Sequence, residues 1–488
     1  MPKERPDPTR PSDFAGKGYG MQSDDLKRIL ERQREAFRLA PNPSHIERKS
    51  HLETLCLALK TNTEGMAQAI CEDFGHRSPD ETRLAEIFSS LEATRHAIHH
   101  LKRWMRPEKR PVSGWFLFGK ALVIKQPLGV VGIIVPWNYP LHLAVVPLTS
   151  ALAAGNRVMI KMSETAPNFG SFFAALIRRH FPENQIAVIN GGPETGKAFS
   201  ALPFDHLLFT GSTTVGRVVM KAASENLTPV TLELGGKSPA IIGPDYPIKK
   251  AASRIMIGKS FNAGQTCFAP DYVLVPENKI QEFVEATRLA TAQYYPTIEE
   301  NPDYTAIINQ HHYLRLQSYL QDAQDQGATL IDLNPEGKPL NPTSRKMAPT
   351  LILGIKNTMK VIQEEIFGPL LPVVPYRTLE EAIEYVNGRP KPFALYYFDH
   401  DLARVNLVLS KTFSGDATVN DTMLHALQNE LPYGGVGLSG MGYYHGREGF
   451  ETFSKKKGVF IQSRLNAVSF LKPPYGKLFK TIVRFMLR

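Results

Sequence analysis

The chain has 488 residues, 42% of them hydrophobic and 21% charged, with a formal net charge of +10. That length exceeds one compact core and, at roughly 150 residues per domain, suggests about three units of a soluble globular protein. No stretch approaches the roughly 18 uninterrupted apolar residues of a membrane span. Nine Lys/Arg side chains fall within 454–488, a segment without Asp or Glu, which leaves 48 basic against 47 acidic side chains elsewhere. The basic character belongs to the tail alone, so no nucleic-acid partner is expected.

Residues 1–20 carry Pro2, Pro6, Pro8, Pro11 and three glycines but no apolar core of a secretory signal, and are expected to form a disordered tail. From 21 to about 104 the pattern is helical. Ser44-His-Ile-Glu47 and Ser78-Pro-Asp-Glu81 both read as capping boxes, and Leu84, Ile87, Phe88, Leu91, Arg95 and Ile98 follow helical spacing, with Arg95 a polar intrusion. Three cysteines, Cys56, Cys71 and Cys267, make a disulfide framework improbable and point to a reducing, cytoplasmic compartment. With no Cys-x-x-Cys pair, no metal is expected. Cys56 and Cys71 fall in amphipathic segments and are expected to be buried packing residues.

Pro107, Pro111 and Gly114 break the helical run. Trp115-Phe-Leu-Phe118 and Ala121-Leu-Val-Ile124 then read as the arms of a β-hairpin around Gly119-Lys120, reaching toward another domain or subunit. Beyond it, short apolar runs at 130–135, 158–162, 186–189, 206–209 and 230–234 alternate with helical patterning, the signature of a parallel sheet covered on both faces. A second alternating region starts near 244, with a helix around 248–260 and strands near 272–275 and 370–374.

Chemistry concentrates in a few segments. Cys267, in Asn262-Ala-Gly-Gln-Thr-Cys-Phe268, is a candidate nucleophile on a strained turn that exposes its sulfur, and Glu233, in Glu233-Leu-Gly-Gly-Lys237, a candidate base. Asn138, in Pro136-Trp-Asn-Tyr-Pro140, follows a strand, where its amide can face a developing oxyanion. Phe209-Thr-Gly-Ser-Thr-Thr-Val-Gly216 opens a helix whose free N–H groups suit a diphosphate. Lys161 and Glu164 end another strand, where they can hold a ribose or a phosphate. Taken singly, each has a plainer reading as a packed cysteine, a turn former or a solvated charge.

Together with Glu364-Glu-Ile-Phe-Gly-Pro369, these motifs occur in the order and spacing of the aldehyde dehydrogenase superfamily, which the chain resembles from about residue 40 to 460. Pro432-Tyr-Gly-Gly-Val-Gly-Leu-Ser-Gly-Met-Gly442 resembles the class 3-like branch. The long N-terminus and Lys472-Pro-Pro-Tyr-Gly-Lys477 are similar to its bacterial coniferyl aldehyde dehydrogenases.

The resemblance implies a Rossmann-like NAD(P)-binding domain (21–104 and 127–243), a second α/β, thiol-bearing catalytic domain (244–430) and a bridging oligomerisation arm (105–126 and 431–488). It implies NAD- or NADP-dependent oxidation of an aldehyde to an acid, on a coniferyl-type aromatic or a longer aliphatic substrate. Cys267 is the implied nucleophile, Asn138 the oxyanion donor and Glu233 the base that hydrolyses the thioester. A hydrolytic base argues against transfer to a thiol acceptor, and the intact trio against a non-catalytic role. Trp137, Lys161, Glu164, Gly211, Ser212, Gly216, Leu234, Glu365 and Phe367 are implied cofactor contacts, and Tyr433 lines the substrate funnel. Met162 and Thr214 depart from the usual residues and leave the choice of NAD or NADP open.

The last segment, 474–488, places Lys477, Lys480, Arg484 and Arg488 on one helical face and Leu478, Phe479, Ile482, Phe485 and Met486 mainly on the other. Such a helix docks onto the partner subunit of a homodimer or lies on an anionic membrane surface.

Overall fold

The computed structural model describes residues 23–113, 116, 118–464 and 472–487. The expected tail 1–20 lies outside the described residues. In chain order the strands are β1 (Glu108–Arg110), β2 (Lys120–Pro127), β3 (Val130–Ile134), β4 (Arg157–Lys161), β5 (Ile186–Ile189), β6 (His206–Gly211), β7 (Val230–Leu234) and β8 (Pro239–Ile242). They continue with β9 (Tyr272–Pro276), β10 (Thr329–Asp332), β11 (Thr350–Leu353), β12 (Leu370–Tyr376), β13 (Ala394–Phe398), β14 (Asp416–Val419), β15 (Gly440–Met441) and β16 (Ser454–Ile461).

A six-stranded sheet has the order β15-β7-β6-β3-β4-β5 and a seven-stranded sheet the order β10-β11-β12-β9-β8-β13-β14. Every pairing in the first is parallel except β15 with β7, and every pairing in the second except β10 with β11. Strands of a parallel sheet are covered on both faces, so they read as continuous apolar runs. The helix His142–Ala154 is buried at every residue from Leu143 to Ala154, which explains an apolar composition with no polar face.

In the first sheet the strand order reverses at β3, which pairs with β4 on one side and β6 on the other. A crevice opens at such a switch point, outside the carboxyl ends of the strands. Pro136-Trp137-Asn138 lies there. The chain passes from the first sheet to the second through Gly235–Ser238, between β7 and β8. The carboxyl end of β7 therefore adjoins the amino end of β8 and of its parallel neighbour β9, just before which Cys267 lies.

Several expectations need correction. The strand paired with β2 on its near side is β1, and its long partner is β16, so the antiparallel unit is a three-stranded sheet and not a 115–124 hairpin. Trp115 and Leu117 lie outside the described residues. Strand β8 joins the seven-stranded sheet, so the sheets change at 235–238, where the two glycines end β7 and let the chain turn. Ser78 caps its helix, but Glu81 turns inward to the Arg77 guanidinium and not back to the cap, whereas Ser44 and Glu47 form the full reciprocal box. Leu84 and Phe88 are exposed because wider π-type turns over Arg83–Phe88 shift the buried face. Cys56 and Cys71 are half-buried.

Candidate active site

The turn before Cys267 is strained. Asn262, Ala263 and Gly264 take φ of 50°, 49° and 73° in succession, a left-handed run that two of these residues adopt at a cost of about 1 kcal/mol or more each. A Cβ on Gly264 would lie 2.4 Å from the Gly368 carbonyl oxygen, so only glycine fits. Hydrogen bonds hold the turn. The Asn262 amide donates to the Asn138 and Gln265 carbonyls, both at 3.1 Å. The buried Gln265 side chain donates to Asn262 O and Ala306 O and accepts from Ile308 N–H. Thr266 and Tyr139 hydroxyls meet at 2.8 Å.

The turn delivers the sulfur to a carboxylate. Cys267 Sγ–H donates to Glu233 Oε1 at 3.1 Å. Glu233 is 2% exposed and gathers hydroxyl donors from three other residues. Tyr444 donates at 2.6 Å and Thr210 at 3.3 Å to Oε2, and Tyr433 at 3.4 Å to Oε1. Tyr433 OH also lies 3.9 Å from Sγ. Pairing of Gly440 with Glu233 in the β15–β7 ladder brings the 433–444 segment over the carboxylate. Burial raises the Glu233 pKa against these hydroxyls, and burial together with the Glu233 charge pushes the Cys267 thiol well above its ordinary value. The sulfur is therefore buried, not exposed as the turn suggested, because Glu233 and Tyr433 close over it.

Asn138 Nδ2 donates to Gln265 O at 3.3 Å, two residues before the sulfur, and an amide nitrogen carries a second donor. Its backbone is anchored by Arg77, which is fully buried, donates to Asn138 O at 2.9 Å and pairs with Glu86 at 2.8 Å. Glu86 also accepts from the N–H groups of Leu141 and His142, at the start of the helix His142–Ala154.

The other expected residues follow the carboxyl edge of the six-stranded sheet. Lys161 closes β4, buried, with Nζ donating to Met162 O and 3.6 Å from the exposed Glu164; burial lowers its pKa. Gly211 closes β6. Ser212 caps the helix Thr213–Ser224 by accepting from Val215 N–H. A Cβ on Gly216 would meet Leu234 at 2.6 Å, so this glycine lets the helix pack against the end of β7. Trp137 and Phe367 meet edge to face at 5.4 Å, and Phe367 is itself left-handed, with φ of 52°.

Glu365 is half-buried, with Oε1 enclosed and unpartnered among the described residues, and its carboxyl is pushed up to about 8, chiefly by desolvation and then by Asp271. A Cβ on Gly235 would lie 1.9 Å from its other oxygen.

These residues fit an extended dinucleotide. Two strands separate β4 from β7, which at ~4.8 Å per strand puts their ends about 14 Å apart. A capped helix end lies between them for a diphosphate, and an orphaned carboxylate near the sulfur awaits a hydroxyl donor. Tyr444, Thr210, Arg77 and Glu86 escaped sequence reasoning. Tyr443-Tyr444-His445 adjoins the Gly-rich segment and offered a signal for the first; isolated Thr, Arg and Glu residues offered none.

Residues 6–459 match the model of the aldehyde dehydrogenase family. The chain is 54% identical to a probable coniferyl aldehyde dehydrogenase of Pseudomonas aeruginosa over 458 residues, 94% of this chain and 95% of the relative. It is 44% identical to a coniferyl aldehyde dehydrogenase of Pseudomonas sp. strain HR199 over 474 residues, 96% and 98% of the two. The substrate-bound structure of Staphylococcus aureus AldH superposes with a TM-score of 0.89 at 38% identity, covering 94% and 99%. The chain belongs to the aldehyde dehydrogenase family. It is an NAD(P)-dependent enzyme that oxidises an aldehyde to the acid.

Proposed function

We propose that Cys267, Glu233 and Asn138 carry this reaction and that its substrate is a coniferyl-type aromatic aldehyde. The observation that carries the assignment is the 3.1 Å contact from Cys267 Sγ–H to Glu233 Oε1. That carboxylate accepts the thiol proton as sulfur bonds to the carbonyl carbon. The second N–H of Asn138 and the Cys267 backbone N–H hold the oxyanion. When bound, the nicotinamide supplies the hydride acceptor. Glu233, ionised again, takes a proton from the water that cleaves the Cys267 thioester and releases the acid.

Cofactor binding follows the sheet edge: Lys161 and Glu164 at the adenine ribose, Gly211, Ser212 and Gly216 at the diphosphate, and Glu365 at the nicotinamide ribose. Trp137, Leu234 and Phe367 pack beside it. An exposed carboxylate at Glu164 favours NAD over the 2′-phosphate of NADP. The domains follow as a cofactor domain on the six-stranded sheet, a thiol domain on the seven-stranded sheet and a bridging arm on the three-stranded sheet.

The substrate reading is supported by the names of the two Pseudomonas relatives and by the rings around the sulfur: Tyr433 packs edge-on to Phe268 and Phe393, and His425 stacks over it. A kcat/KM series across aromatic and long-chain aliphatic aldehydes tests it. Preference for the aromatic series supports it, and preference for the aliphatic series ends it.

A second reading rests on the helix Lys477–Met486, where Leu478 and Phe485 are exposed opposite Lys477 and Lys480. It docks on the partner of a homodimer, whose further contacts are the exposed Phe460 and Ile461 of β16; contact with an anionic membrane is the alternative. No helix among the described residues is long and apolar enough to cross a membrane. Pelleting with anionic vesicles, with and without residues 474–488, separates the two.

A further inference from the structure

We propose that His96, His100 and Glu430 form a binding site for a divalent transition-metal ion of the zinc type, joining the helix Ser89–Trp104 to the segment that leads into Tyr433. The two histidines are four residues apart, one turn along one helical face. Their Nε2 atoms lie 3.4 and 3.6 Å from the same Glu430 oxygen, and the three ligand atoms all fall within 4.8 Å of one another. Zinc–nitrogen and zinc–oxygen bonds of about 2.0–2.1 Å set the edge of a tetrahedral site near 3.4 Å, so these separations need little movement to close on an ion.

Three details favour a ligand set over a chance cluster. His100 Nδ1 sits 3.0 Å from the His96 carbonyl, which can only accept; Nδ1 therefore carries the proton and the Nε2 lone pair faces Glu430. His96 Nε2 is buried without a hydrogen-bond partner among the described residues, and a metal ion supplies one. Both rings pack on Trp104, at 5.7 and 5.9 Å, and on each other at 4.2 Å, so they are pre-oriented on a rigid element. Arg103 reaches the same Glu430 oxygen at 3.7 Å; a monodentate carboxylate leaves its second oxygen for that guanidinium. Water completes the coordination on the open side. Two imidazoles and one carboxylate suit zinc, cobalt or nickel and not calcium or magnesium, which take oxygen ligands.

Glu430 precedes Tyr433 by three residues, so an ion here ties the Tyr433 segment to the helix. The site makes no use of the catalytic assignment.

The test uses the untagged full-length chain, stripped with chelator, in a Cys267→Ala background that removes the thiol of the reaction pocket. Titration with Co2+, followed by its ligand-field absorption, and with Zn2+ by calorimetry should give one ion per chain, and Zn2+ should raise the Tm. His96→Gln and Glu430→Gln should each weaken binding at least about tenfold and abolish the Tm shift. Glu430 is more than half exposed, so its variant stays folded and is decisive even where His96→Gln is not. Absence of a saturating one-to-one site, or binding unchanged by Glu430→Gln, would overturn the proposal.

Discussion

Glu233 ends β7 and Lys161 ends β4 of the same sheet, yet the two ends are built differently. Glu233 is buried and oriented by hydroxyls from Thr210, Tyr433 and Tyr444, which lie 23, 200 and 211 residues away. Lys161 is held within its own segment, by Met162 O and by Glu164 three residues on. A group that moves protons needs its direction and ionisation set, and that demands partners from several elements in a water-poor site. A group that holds a mobile ligand needs only position and access. Damage in the sulfur pocket should therefore reach kcat, and damage along the cofactor edge mainly KM.

The most severe break of that contrast is Cys267→Ala, expected to lower kcat by at least about 10³-fold while leaving NAD binding intact, read by steady-state kinetics and cofactor titration. Next is Asn138→Ala, expected to lower kcat by about 10²–10³-fold with little change in cofactor KM, as for loss of one oxyanion donor. Glu86→Ala attacks the support from outside the pocket. It leaves the Arg77 charge buried beside only the longer Glu81 contact, and should destabilise the fold by about 3–5 kcal/mol in denaturant melts.

Tyr444→Phe removes one charge-assisted hydrogen bond from Glu233, worth about 1.5–3 kcal/mol, and should move the acid limb of the rate profile upward. The sign follows from the mechanism. In the proposed mechanism ionised Glu233 is the active form, and burial raises its pKa, so kcat should fall as pH drops through a value above the ordinary carboxylate range. Loss of a donor to the charged form raises that value further. The mildest change is Glu164→Gln, expected to improve kcat/KM for NADP a few-fold relative to NAD and to leave kcat alone.

The same contrast governs what could be read from the chain. Apolar runs of the parallel strands and the glycine-bearing turns carry local signatures, so the two sheets and the Cys267, Glu233 and Ser212 segments were legible. The antiparallel arm was not, because β1 and β16 find β2 through pairings 11 to more than 300 residues apart and their own sequences are strongly charged. Glu81 shows the same limit. Its position three residues after Ser78 spells a capping box, but the buried Arg77 offers a stronger partner. Tyr444 and Arg77 act through geometry that only the folded chain creates. His96 and His100 drew no expectation from the chain, because their partner Glu430 is more than 300 residues away.

The central claim is that Cys267 carries the acyl group and Glu233 sends it to water. The most direct test is a single-turnover experiment on Glu233→Gln at alkaline pH. Burial and then the Glu233 charge hold the thiol protonated; removing the carboxylate lifts the second, so at alkaline pH the sulfur can still attack. One equivalent of NADH per chain should appear as a burst and then stall, with the acyl mass found on the Cys267 peptide. Continued turnover at the parent rate, or an acyl group on any other residue, would contradict the account.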